Sequence, residues 1–242
     1  MSTRKRPEGL TASDKFRTGK AYSIHQAAQL ARTTPATVRR WLLGYEAPGH
    51  RMAPVFGEKR RLQDKEALLV SFLELVEIVV VSRFRQGIGS TPVSLGTLRE
   101  AHSYALELFG LSHPFASLKM RVEGGHLMHE FDLHNRKGPR LALDLHGQWA
   151  LPWPVQDEME HLDFDGGTRA RDPFALRWFP RGRKVPIVVD PHVAAGRPTI
   201  YKRAVTVETL IQRHRRGEPI EDLASDYDVE IHLLEEVLRY AA

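Results

Sequence analysis

"YSIHQAAQLARTTPATVRRWLLGY", residues 22–45, carries two helix starts separated by one break. Ser23 is placed to cap a first helix. Behind it, Ile24, Ala27, Ala28 and Ala31 recur at three- and four-residue spacing, giving a face of small apolar residues on which another helix can sit closely. "RTTP" ends that helix, and Thr34 followed by Pro35 restarts the chain: the threonine caps free N–H groups, and proline at the first helical position loses nothing. The second helix is predicted to run to about Gly44. Val38, Trp41, Leu42 and Tyr45 share its inner face, which leaves Ala36, Thr37, Arg39 and Arg40 pointing elsewhere. Two short helices joined by a tight turn, the second with exposed Thr and Arg near its start, make a helix-turn-helix pattern with a candidate recognition helix.

The segment that follows, "EAPGHRMAPVFGEKRRL" at 46–62, has turn signals at Pro48-Gly49 and Gly57 and basic residues at Arg51, Lys59, Arg60 and Arg61, as a winged hairpin would. The candidate DNA-binding residues are Thr34, Ala36, Thr37, Arg39, Arg40, Arg60 and Arg61. Arg39, Arg40, Arg60 and Arg61 would mostly neutralise phosphates, while Thr37 and one arginine would touch base edges. The plainer alternative is a solvated arginine face on a helix pair that serves only as packing or as a protein interface.

Residues 22–41 resemble the N-terminal helix-turn-helix of MerR-type regulators, with the Tyr-Ser-Ile start and the Thr-Val-Arg-x-Trp end. Where that family has glycine in the turn, this chain has Arg32, which costs roughly 1 kcal/mol if the position is left-handed.

Charge is distributed unevenly. The 242-residue chain has a formal net charge of +5. Residues 1–61 hold thirteen Lys or Arg against four acids, whereas residues 218–242 hold eight acids against Arg239 alone. One end attracts polyanions and the other repels them. No cysteine is present, which excludes disulfides, thiolate metal sites and a cysteine nucleophile and suits a cytoplasmic address. The N-terminus is charged and reads as neither a secretory signal nor a membrane anchor. The most apolar stretch, Ala67 to Phe84, is interrupted by Ser71, Glu74 and Glu77 and is read as a buried helix rather than a bilayer span.

The pattern divides the chain into a basic flexible tail (1–20), the winged helix-turn-helix (21–62), a middle region (63–186) and a C-terminal domain (187–242). In the middle, Asp64 to Gln86 is predicted as one long helix, apolar almost all round, as suited to burial against a second chain as within its own core. Leu95 to Phe109 reads as another helix ending at Gly110. "KMRVEGGHLMHEFDL" reads as a hairpin around Gly124-Gly125, with further strands at "RLALDL", "GQWALP" and "EHLDFDGGTRA". "TRARDPFALRWFPRGRK", residues 168–184, interleaves arginines with aromatics and fits an edge strand, a charged partner surface or stacking against single-stranded nucleic acid.

The C-terminal stretch begins with a short strand at Ile187 to Val189, then Asp190-Pro191 and Gly196-Arg197-Pro198. Three helices are predicted after it: about Thr206 to Arg216, stopped by Gly217; one starting at Pro219; and one after Asp228. Over about 55 residues this resembles the small uncharacterised-domain family found in VapB-type antitoxins, on Asp190, Pro191, Gly196, Arg197, Pro198, Ile200, Gly217, Leu223, Ala224, Tyr240 and Ala241. Where the family continues Gly-Thr-Arg, this chain has Lys202-Arg203-Ala204. The combined resemblance implies an antitoxin whose partner is a PIN-type ribonuclease toxin. Arg177, Arg181, Arg183 and Arg197 are the candidate toxin-binding residues, and one of the arginines in 168–184 is expected to approach the toxin's acidic pocket, since a bidentate guanidinium competes well for clustered carboxylates. The acids of the third helix would repel phosphate, so this end is expected to bind protein, by dimerisation or toxin contact, the plainer alternative being a self-contained packing domain with a solvated acidic face.

Enzymatic chemistry is not expected. His126 and His129 would face opposite sides of a strand, Asp163 and Asp165 flank a strand that turns at Gly166-Gly167 and need no chemistry there, and no phosphate loop, nucleophile elbow or kinase signature is present. No catalytic residue, metal or cofactor is predicted. The expected fold class is α+β: an N-terminal winged helix-turn-helix, middle helices with a small antiparallel sheet, and a C-terminal three-helix helix-turn-helix bundle. The expected function is a dimeric or higher-order antitoxin that represses its own operon at operator DNA and neutralises the toxin, with no membrane role. The alternatives are a MerR-type regulator with a ligand-sensing middle and a scaffold that does not bind DNA.

Overall fold

A computed structural model describes residues 15–47, 49–56, 68–86, 92–135, 151, 153–164 and 174–240. The architecture is α+β, with helices predominating over four two-stranded sheets among the described residues. The chain divides into two units: Met1–Glu160 with Phe164–Ala175, and His161–Asp163 with Leu176–Ala242.

The first unit opens with the short helix α1 (Lys15–Thr18), strand β1 (Tyr22–Ser23) and helices α2 (Ile24–Leu30) and α3 (Pro35–Leu43). Ser23 and Gln26 form a capping box, each side chain meeting the other's backbone N–H, and fix the start of α2. Ala27, Ala28 and Ala31 are fully buried, as the small-residue spacing predicts. Strands β2 (Tyr45–Ala47) and β3 (His50–Met52) form an antiparallel hairpin with Glu46 opposite Arg51. Gly44 makes the entry possible: its φ is 75°, and a Cβ there would lie 2.3 Å from the Met52 carbonyl oxygen.

Strand β4 (Leu69–Val70) pairs antiparallel with β1, and helix α4 (Phe72–Gln86) follows. The predicted helix over 64–86 is thus corrected at its start: Leu69-Val70 is extended, because Tyr22-Ser23 supplies a ladder partner that local periodicity cannot reveal, and residues 57–67 lie outside the described set. Every residue of α4 from Phe72 to Phe84 is buried within the chain's own fold, which takes up the apolar faces that the sequence left open to a second chain. Helix α5 (Leu95–Phe109) starts at the Ser94 cap and ends at Gly110 in the left-handed conformation.

Helix α6 (Leu118–Asn135) replaces the hairpin predicted around Gly124-Gly125. The glycines serve packing rather than turning. A Cβ on Gly124 would meet the Leu151 methyls at 3.1 and 3.2 Å and the Met120 sulfur at 3.0 Å. His126 and His129 therefore lie on a helix, not on opposite faces of a strand. Helix α7 (Trp153–Glu160) completes this set. The strands predicted at "RLALDL" and "GQWALP" and the turn at Gly166-Gly167 fall outside the described residues, apart from Leu151.

Strand β5 (Leu162–Phe164) hydrogen-bonds with β6 (Ala175–Trp178), and Trp178 bridges to Val189. Strands β7 (Ile187–Val188) and β8 (Thr199–Ile200) pair antiparallel, and helices α8 (Val207–Arg215), α9 (Ile220–Tyr227) and α10 (Ile231–Tyr240) close the second unit. Their core is Ile187, Ile200, Val207, Leu210, Leu223, Ala224, Leu234 and Val237. At about 25 cal/mol per Å² of apolar surface, such burial is the main stabilising contribution here. The three predicted helices are present with boundaries shifted by a residue or two.

Candidate nucleic-acid and partner surfaces

The second helix of the opening stretch presents its polar residues as its spacing requires. Thr34 caps α3, its Oγ1 accepting the Thr37 N–H at 3.1 Å and lying 2.8 Å from the Thr37 hydroxyl. Val38, Trp41 and Leu42 are buried, while Thr34, Ala36, Arg39 and Arg40 are exposed and Thr37 is half-buried. The structure thus brings Ala36, Thr37, Arg39 and Arg40 together on α3, with Thr34 as its N-cap and Arg40 in its last turn. Arg60 and Arg61 lie outside the described residues. Arg32 has φ 54°, so the turn uses the left-handed conformation without the glycine that suits it.

The two arginines of α3 are not equivalent. Arg40 stacks its guanidinium over the Tyr45 ring, 5.6 Å from the centroid, which holds it toward the base of the hairpin. Arg39 extends from the exposed face and forms no ion pair among the described residues. Sequence reasoning placed Tyr45 on the inner face of α3, and in fact it begins β2. The hairpin adds Arg51, which faces Glu46 at 3.4 Å. Behind it, Arg99 on α5 donates to the backbone carbonyls of Ala53 and Pro54, a link that forty-five residues of separation hide from any local pattern.

A buried polar cluster in the same unit also escaped the sequence. Glu77 on α4, 2% exposed, accepts from His102 Nε2 at 3.0 Å, His113 Nδ1 at 3.1 Å and the Phe115 N–H at 3.2 Å. Burial by itself pushes the Glu77 carboxyl up. The charge and hydrogen bond of His102, with those of His113, outweigh that and hold it at about 2. The aromatic edges of Phe56 and Phe115 close on His102. A second buried pair joins Arg83 to Glu158 at 2.5 Å. Among the described residues no group of three or more His, Cys, Asp or Glu is placed to hold a metal ion. No described helix is long and apolar enough to cross a bilayer.

In the second unit, the candidate partner-binding arginines are largely engaged. Arg177 and Arg183 flank Asp163, at 3.2 and 2.7 Å from its carboxylate oxygens. Arg183 also lies over the Phe179 ring, and Arg177 over Tyr201. Arg197 donates to the Ala194 carbonyl and stands 4.0 Å from Glu208. Arg181 is exposed and packs over Tyr240 at 5.0 Å. Lys202, where the resembled family has glycine, takes φ 62°. Arg203 holds the end of α9, donating to the Tyr227 and Asp228 carbonyls and to the Asp228 carboxylate. Arg213 is bound by Glu218, Asp226 and Tyr227, which drive its pKa still higher, Glu218 most strongly. Glu221, Asp222, Asp226, Asp228, Glu230 and Glu235 remain exposed, so the surface of α9 and α10 is acidic.

This C-terminal arrangement defines a small helical domain on a strand pair, and residues 187–241 match the family described as a protein of unknown function, DUF433. The chain thus carries a domain of that family at its C-terminus. Along most of its length it is 24% identical over 233 residues to the uncharacterized protein Rv2308 of Mycobacterium tuberculosis, an alignment covering 90% of this chain and 89% of that one. The fold is also that of a solved structure, the X-ray crystal structure of Rv2018 from Mycobacterium tuberculosis. That likeness has a TM-score of 0.72 at 20% identity and covers 90% of this chain and 97% of the other.

Proposed function

We propose that this protein is the antitoxin of a type II toxin–antitoxin pair, binding operator DNA through its first unit and a PIN-type ribonuclease through its second. The observation that carries the DNA half of the reading is the capped helix α3, with Ala36, Arg39 and Arg40 exposed and a hairpin directly after it. A recognition helix entering a major groove uses residues near its N-terminus, and a neighbouring hairpin adds backbone contacts. The acidic surface of α9 and α10 supports the division of labour, because clustered carboxylates oppose phosphate and leave protein as the suitable partner. Antitoxins of this kind act in the cytoplasm as dimers or higher oligomers.

The test has two arms. Binding of a labelled duplex from upstream of the gene is measured by anisotropy over a salt series. Replacing Arg39 and Arg40 together with alanine should lower the salt slope by about two, the counterions of two phosphate contacts. Co-purification with the product of the neighbouring gene, followed by RNA-cleavage assays with and without this chain, tests the second half. An unchanged slope refutes the DNA reading, and cleavage unaffected by this chain refutes the toxin reading.

A further inference from the structure

We infer that Arg99 is a positioning residue that sets the β2–β3 hairpin relative to α3 for simultaneous contact with one duplex, an inference that rests on the DNA-binding reading above. Arg99 lies in the first half of α5, and its guanidinium reaches two consecutive carbonyls just beyond β3. Its Nε donates to Pro54 O at 2.9 Å and Ala53 O at 3.1 Å, and its Nη2 donates to Ala53 O at 2.7 Å. The next residue, Val55, donates its N–H to the Trp41 carbonyl of α3 at 2.8 Å. The exit of the hairpin is therefore held on both sides, by α3 through Val55 and by α5 through Arg99. At the entry, Gly44 lies so close to Met52 that no side chain fits between them.

Among the described residues, the hairpin's two three-residue strands pair only with each other. Its direction is set by these anchors rather than by a larger sheet. A planar guanidinium is suited to gripping two adjacent carbonyls at once, while an ammonium offers a single point of attachment. With its Nε and Nη2 turned to those carbonyls, Arg99 acts through Arg51, the middle residue of β3. Holding Arg51 and Arg39 in fixed relative positions removes an ordering cost that the duplex would otherwise have to meet on binding.

A double-mutant cycle on the full chain separates positioning from general stabilisation. The probe is a fluorescein-labelled duplex from upstream of the gene, titrated against wild type, Arg99→Ala, Arg51→Ala and the double variant, with thermal melts confirming folding. Arg99→Ala and Arg51→Ala should each weaken binding by several-fold, up to about the tenfold that 1.4 kcal/mol represents. The double variant should bind no more weakly than the weaker single one. Arg99→Lys, which keeps the charge and stem, should show a smaller loss of the same kind and serves in place of alanine if that variant fails to fold. Losses that multiply in the double variant, or an Arg99 variant that binds like wild type, overturn this inference while leaving the DNA reading intact. A wild-type chain that does not bind the duplex overturns both.

Discussion

Replacing Glu77 by glutamine keeps the shape of a buried side chain and removes its charge. In the folded protein the carboxylate accepts from His102, His113 and the Phe115 N–H, and its pKa falls from 4.5 to about 2. At about 1.4 kcal/mol per pH unit, that depression corresponds to about 3 kcal/mol of stability. Because the folded pKa is the lower one, the contribution is present above the unfolded value of 4.5 and is lost as pH falls from there toward 2. Urea denaturation followed by the fluorescence of buried Trp41 and Trp178 measures it at pH 5, above the unfolded value, and at pH 3, inside the window. Wild type should exceed Glu77→Gln by about 3 kcal/mol at pH 5 and by roughly half that at pH 3. An equal difference at both values would show that the charge of Glu77 does not stabilise the fold.

Glu158→Ala strands Arg83 in a buried position and should cost about 4 kcal/mol, read by chemical denaturation; a loss under 1 kcal/mol would mean that water reaches the guanidinium. Leu210→Ala removes a fully buried side chain from the C-terminal core and should cost about 3 kcal/mol, with a lower denaturation midpoint. Arg32→Gly relieves a left-handed non-glycine residue and should gain about 1 kcal/mol, visible as a higher Tm; a lower Tm would show that the arginine side chain outweighs the backbone strain.

The elements legible in the sequence are those whose boundaries carry local chemistry. Ser23, Thr34, Ser94 and Thr206 each cap a helix through a side-chain oxygen that accepts a backbone N–H three residues on, and a capping threonine or serine announces itself within four letters. The exposed set on α3 was legible for the same reason: once the helix is placed, its period assigns every face. What could not be read depends on partners far along the chain. Gly124-Gly125 looks like a turn until Leu151 occupies the space that a side chain would need. Leu69-Val70 continues a helical pattern until Tyr22-Ser23 pairs with it. The Glu77 cluster joins residues 25 and 36 positions apart, and Arg99 meets the hairpin across 45 or more. None of these leaves a periodic trace.

Asp163 stands between Arg177 and Arg183, so both guanidiniums already hold an anion of the chain's own. A visiting carboxylate or phosphate therefore enters by exchange, and its net gain is only the difference between the new contact and the one it displaces. A partner carrying several negative groups would compete better than a lone acid, because it can remain attached at one point while competing at another. Neutralising that internal competitor would turn the same two arginines into an indiscriminate anion trap.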